Sequence, residues 1–144
     1  MKYVFSSKSS IRYTFPTHIN ELVMDRSESE TSEVFIVVIE PKKGPPLHKH
    51  NDTEQIFYIL EGEGVLEIGK KGMYHHNSQT VFPGDVIRIP PRTNHTIYCQ
   101  GNQPLKYLAI DCFVEGKPKT EPTWDSHVKV LCEEQGWDFS KVKK

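Results

Sequence analysis

Two histidines two residues apart, His48 and His50, stand in the stretch from Gly44 to Gly64, GPPLHKHNDTEQIFYILEGEG. In extended chain alternate side chains leave by opposite faces, so both imidazoles project to the same side. Neutral imidazole is the commonest protein ligand for divalent transition metals, and such a pair supplies half of a four-ligand site. The chemistry open to it is that of a bound cation, which polarises an oxygen and orients a substrate. An H-x-H pair alone also marks ordinary surface histidines. The elements around it must decide.

Upstream, EVFIVVIE over 33–40 reads as a strand with Val34, Ile36 and Val38 on one face and Phe35, Val37 and Ile39 on the other. Both faces are apolar, so both need cover. Pro41, Gly44, Pro45 and Pro46 break this strand into a loop that delivers His48 and His50. A second strand, 55–60, is again apolar on both faces; by parity Phe57 and Ile59 share a face with Gln55, and Glu54 and Tyr58 point away. The turn Glu61-Gly62-Glu63-Gly64 returns the chain through 65–68, a further turn spans 69–72, and 73–80 is polar and irregular. Pro83-Gly84-Asp85 turns into VIRI over 86–89, where Arg88 faces solvent. Pro90 and Pro91 end that strand, and in HTIYC His95, Ile97 and Cys99 share a face. LKYLAIDCF over 105–113 closes the series, giving about seven short strands with Gly/Pro turns, the pattern of an all-β sandwich or barrel.

The flanks differ. Residues 1–24 hold two β-prone runs, YVF and IRYTF, read as a strand pair covering an edge of the main sheet, and RSESETSE over 26–33 is a solvated loop. At the other end, after the polar loop EGKPKTEP, residues 125–135 place Val128, Leu131 and Cys132 at helical spacing, with Gly136 as the C-cap. One short helix lying on the barrel is expected, anchored by Trp137 and Phe139. The parts make one domain over 1–144: cover 1–32, barrel 33–113, and loop with helix 114–144.

Eighteen basic and nineteen acidic residues leave a net charge of -1. That balance has no footprint for nucleic acid or an anionic membrane and points to a small-molecule partner or a second copy of the chain. The start, MKYVFSSKSS, lacks the apolar core of a signal peptide, and no apolar run approaches the roughly 18 residues that cross a bilayer. A cytoplasmic protein is expected. Cys99, Cys112 and Cys132, odd in number and without C-x-x-C spacing, read as packed thiols rather than a disulfide framework or thiolate site.

The stretch from 33 to 113 resembles the cupin superfamily. That family's first motif runs H-x-H, three or four residues, an acidic ligand, six residues, then Gly; counting back from Gly62 places Gln55 at the acidic-ligand position behind His48 and His50, with Glu54 the rival at the shorter spacing. Its second motif, G-x5-P-x-G-x2-H-x3-N, is matched by Gly84, Pro90 and His95, with Arg92 in place of the second glycine and Cys99 in place of the asparagine. The leading glycine of the first motif falls on Lys42. A glycine at the Arg92 position usually supplies positive φ, which Arg adopts only at a cost.

The resemblance implies a double-stranded β-helix, a jelly-roll barrel with N-terminal covering strands and one C-terminal helix. It implies one divalent transition metal (Fe, Mn, Ni, Co, Cu or Zn) held by His48, His50, Gln55 and His95. The metal faces a pocket lined by Phe57, Ile59, Ile97 and Cys99. His18, His75, His76 and His127 belong to neither motif and read as surface or packing residues. Three imidazoles and an amide are all neutral, so the ion keeps its +2 charge and favours an anionic ligand. The expected activity is a metal-dependent dioxygenase, or an isomerase or lyase, acting on a small carboxylate, keto or enediol-like molecule. A non-catalytic binding or sensor cupin is the alternative. Apolar residues on the outward faces of EVFIVVIE and QIFYIL call for cover by the flanking segments and by a second subunit, hence a homodimer.

Overall fold

Strand parity places the apolar halves of the long strands on one interior. A computed structural model describes residues 1–143, Ser9 by its backbone only; Lys144, the last residue of the expected domain, lies outside them. Nine strands run in order: β1 (Ile11–Thr14), β2 (Ile19–Met24), β3 (Ser32–Ile39), β4 (Thr53–Glu61), β5 (Glu63–Ile68), β6 (Asn77–Val81), β7 (Val86–Ile89), β8 (His95–Gln100) and β9 (Leu105–Phe113). They form a six-stranded sheet, β1-β2-β3-β9-β4-β7, and a three-stranded sheet, β6-β5-β8, all described pairings antiparallel.

Register stacks the interior in layers. Phe35, Ala109 and Phe57 lie side by side across β3, β9 and β4, as do Val37, Tyr107 and Ile59, while Leu66 opposes Ile97 in the smaller sheet. All are buried. The same parity places Glu33, Asp111 and Gln55 in one row at the end of the barrel, also buried.

β2 pairs with β3 and so covers the edge of the barrel sheet, but the covering pair is IRYT with INELVM: YVF over 3–5 forms no strand, and Tyr3 and Val4 are exposed. β6 falls partly inside 73–80, read above as irregular. Its first four residues, Asn77 to Thr80, are exposed, so no apolar alternation marks it, and it is set by pairing with β5. The solvated loop expected over 26–33 is also different. Arg26 begins a 3-10 turn, Arg26–Glu28, and is buried against the equally buried Glu33.

Helix α1 (Trp124–Gln135) starts on a reciprocal cap between Thr123 and Ser126 and ends at Gly136, whose φ of 74° is the left-handed conformation glycine adopts without penalty. A one-turn helix, α2 (Phe139–Val142), follows it. Trp124, Val128 and Cys132 are the buried face of α1 and join the core that includes Tyr13, Phe15, Phe35 and Val37. The Trp124 ring lies 4.6 Å from Phe35, and Trp137 lies 5.5 Å from Phe15. The helix thus covers inward-facing residues of β1–β3 beyond the reach of the small sheet. It closes one end of the barrel and leaves Val34, Val38, Ile56, Leu108 and Ile110 half-buried on the opposite sheet face. Among the described residues no helix is long and apolar enough to cross a membrane.

Two non-glycine residues among those described have positive φ, Lys42 at 67° and Arg92 at 61°. Both stand where the two motifs carry glycine. The turn geometry is kept and the chain bears the side-chain strain. At Arg92 that strain is offset: its N–H donates to the His50 carbonyl (2.7 Å) and its Nη1 to the Asn51 carbonyl (3.2 Å), so the turn before His95 is tied to the loop carrying His50.

Candidate metal centre

The loop before β4 and the start of β8 are joined by a two-way backbone bridge. His48 N–H donates to the His95 carbonyl at 3.0 Å and His95 N–H to the His48 carbonyl at 2.8 Å. Residues 47 apart in sequence are thereby held side by side, and the two-residue spacing brings His50 to the same place. The ring centroids of His48, His50 and His95 lie 4.4, 5.0 and 5.7 Å apart in pairs. One nitrogen of each falls within 4.8 Å of the others, so the three can hold a metal ion.

Hydrogen bonds decide which nitrogens are free. His48 Nδ1 lies 2.7 Å from the Pro46 carbonyl and His95 Nδ1 lies 2.8 Å from the Thr93 carbonyl. A carbonyl only accepts, so both Nδ1 atoms carry the proton and both Nε2 atoms present lone pairs. Gln55 is oriented in the same way: its Nε2 donates to Asp111 Oδ1 at 2.8 Å, which turns Oε1 toward His95 Nε2 at 3.1 Å. Two acceptors then face each other with no proton between them. That arrangement fits a cation drawn from both, and the donor set of imidazole nitrogens and an amide oxygen suits a borderline divalent metal.

Burial also keeps the imidazoles neutral. Burial and then the neighbouring imidazole His48 lower His50 to about 3 and His95 to about 4, and burial lowers His48 as well. Neutral rings are the metal-binding form. Behind Gln55 lies a buried polar row. Arg26 grips Glu33 through Nε and Nη2 at 2.7 and 3.0 Å, and burial, then Asp111, push the Glu33 carboxyl upward against the pull of Arg26. This row packs behind Gln55 and restrains Asp111, the residue that orients it.

The cavity in front of the histidines has a volume of about 640 Å³. Phe57 and Ile97 line it, as do His48, His50, Gln55 and His95. Ile59 and Cys99, which share those faces by parity, are buried below the cavity and are not part of its wall; the Cys99 thiol donates to the Gln103 carbonyl at 3.0 Å. Glu54 and Tyr58 point away as expected. Glu54 pairs with the exposed Arg88 at 3.2 Å and does not line the cavity, whereas Gln55 does.

Two residues read as bland from sequence stand in this wall. His18, from the turn before β2, stacks 4.8 Å from Phe15 and is lowered to about 4 by burial and then by His48. His127, from the first turn of α1, also lines the cavity, its Nδ1 2.8 Å from Glu121 Oε1. No local spacing signals either. His76, by contrast, pairs with Glu67 on the small sheet away from the cavity, and His75 is exposed.

Residues 35–111 match the cupin domain family, and the chain belongs to it. It is 45% identical over 62 residues to the uncharacterized protein MJ1618 of Methanocaldococcus jannaschii, covering 43% of this chain and 45% of that one. It is 36% identical over 72 residues to an oxalate-binding protein of Thermotoga maritima, covering 49% of this chain and 53% of the relative. The matches thus span about half the length of these curated relatives. In three dimensions the fold resembles the polyketide cyclase RemF from Streptomyces resistomycificus, with a TM-score of 0.66, 21% identity and 82% of each chain covered.

Proposed function

We propose that this protein binds one divalent transition metal through His48, His50, His95 and Gln55 and acts on a small carboxylate, keto or enediol-like molecule. The observation that carries this reading is the convergence of His95 Nε2 and Gln55 Oε1, both lone-pair donors to a cation, at the head of a 640 Å³ cavity. A neutral ligand set leaves the ion's charge to be met by the substrate. When bound, the ion supplies Lewis-acid polarisation of a substrate oxygen. Phe57 and Ile97 exclude water from the reacting end, and Gln55, which cannot take a proton, serves as ligand only. Turnover of 2-oxo acids and 1,2-dicarbonyls by metal-loaded protein, compared under air and nitrogen, tests the reading. Oxygen-independent conversion marks an isomerase or lyase, and oxygen uptake marks a dioxygenase.

The second reading, a binding cupin without catalysis, is favoured by the likeness to an oxalate-binding protein. A carboxylate that raises the melting temperature and is recovered unchanged after incubation with metal and air selects it. We place the protein in the cytoplasm as a homodimer. The half-buried face of Val34, Val38, Ile56, Leu108 and Ile110, with the exposed Tyr58 and Leu60 beside it, is the surface a second copy would cover. A monomeric mass by light scattering at micromolar concentration would rule the dimer out.

A further inference from the structure

Of the titratable residues on the barrel strands that line the cavity, Asp111 is taken up by Gln55 Nε2 at 2.8 Å and burial pushes the Tyr107 phenol upward, so neither is placed to take a proton at the candidate metal. Gln55 is an amide, the imidazoles are committed as ligands, and Glu54 and Tyr58 face outward. The C-terminal segment supplies a candidate. His127 lines the same cavity, and its Nδ1 lies 2.8 Å from Glu121 Oε1. A carboxylate accepts, so the Nδ1–H tautomer is fixed and Nε2 is left with a lone pair and no protein partner among the described residues. His127 and His50 both line this cavity.

Glu121 is itself held. Its carbonyl accepts from Arg26 Nη1 at 3.0 Å, and Arg26 is locked on Glu33. Lys117 Nζ donates to the carbonyls of Arg26 and Ser29 at 2.8 and 2.5 Å, and Trp124 N–H donates to Asp25 Oδ1 at 3.1 Å. The segment from Lys117 to Trp124 is thus strapped to residues 25–29, and the Glu121–His127 pair is carried on it. His18 has no such carboxylate. Its Nδ1 meets the Thr17 hydroxyl at 2.8 Å.

We propose that His127 is the proton-transfer residue of this site, held in tautomer by Glu121 as positioning residue, and that the substrate is a 2-oxo acid with a C–H bond beside the carbonyl. This rests on the metal-binding reading above. Nε2 takes the proton from that carbon, the C–H electron pair forms the carbon–carbon double bond, and the carbonyl π pair moves to oxygen, giving the enolate. The imidazolium then returns a proton to carbon. No electrons leave the substrate and no oxidant is consumed, which places the reaction with the isomerases and lyases.

The probe is pyruvate in D2O, its methyl protons followed by NMR in protein whose metal content is measured in the same sample. Wild type exchanges them faster than buffer, and His127→Asn slows exchange by about 100-fold or more with metal content unchanged. Glu121→Ala gives an intermediate loss, and Glu121→Gln, which still accepts from Nδ1–H, restores most of the rate. Metal-free protein gives an independent readout. Nitrogen-15 correlation spectra show His127 as the Nδ1–H tautomer in wild type and Glu121→Gln, shifting toward Nε2–H in Glu121→Ala. Exchange at the buffer rate in wild type, an undiminished rate in His127→Asn, or an Nε2–H tautomer in wild type each overturns the proposal. A failure of the metal reading shows separately, as wild type without bound metal.

Discussion

The two walls of the cavity are built by different rules. On the barrel side, His48, His50, Gln55 and His95 converge because alternate residues of a strand share a face and a backbone bridge sets one strand end beside another. On the helical side, His127 and Glu121 arrive through a loop strapped to residues 25–29 and a helix seated on Trp124. The first wall follows from local geometry, the second from packing between distant segments. On the proposed reading, the first wall holds the metal ligands and the second carries the acid–base pair.

The largest effect separates the walls directly. Trp124→Ala empties the seat of α1, and chemical denaturation is expected to show a loss of about 3–5 kcal/mol. Metal content of the folded fraction stays at the wild-type level. Loss of metal as well would mean that the helix helps build the ligand set.

Acid is the next lever. His95 is buried and lowered to about 4, below its value in the unfolded chain. The stability it contributes is present above the unfolded value of about 6.5 and is lost as pH falls through about 4. For His95 alone this amounts to about 3 kcal/mol in metal-free protein, and bound metal delays the loss. Urea midpoints of metal-free protein between neutral pH and pH ~4 are therefore expected to fall. A flat profile would mean that these rings are solvated.

Asp111 tests the polar row behind the barrel wall. Asp111→Leu removes the acceptor that turns Gln55, and chelator competition is expected to show metal held about 10–100-fold more weakly. Asp111→Asn, which can still accept from Gln55, stays near wild type.

These tests bear on what a reading of residues can reach. The barrel strands and the convergence of His48, His50 and His95 were legible because parity and spacing are local, and the glycine position filled by Arg92 foretold a conformational cost. Arg26, Glu33, His18 and His127 were not. RSESETSE looks solvated because a buried ion pair leaves no mark until its partner and its cover are known, and a lone histidine in a helix looks the same on a surface or in a wall. β6 was missed for a related reason, since an exposed edge strand needs no apolar residues to form.

The smallest effect concerns the strained turns. Lys42→Gly removes a left-handed lysine that makes no compensating side-chain hydrogen bond and should raise stability by about 0.5–1 kcal/mol. Arg92→Gly gains less, because it also gives up the bond to Asn51. Equal gains at both would mean that this bond contributes nothing.

The metal content of protein purified without added metal bears most directly on the whole account, measured beside His48→Ala and His95→Ala. One equivalent of a transition metal per chain in wild type, lost in both variants that still fold, is the predicted result. Wild type without stoichiometric metal, or variants that keep it, would contradict the account.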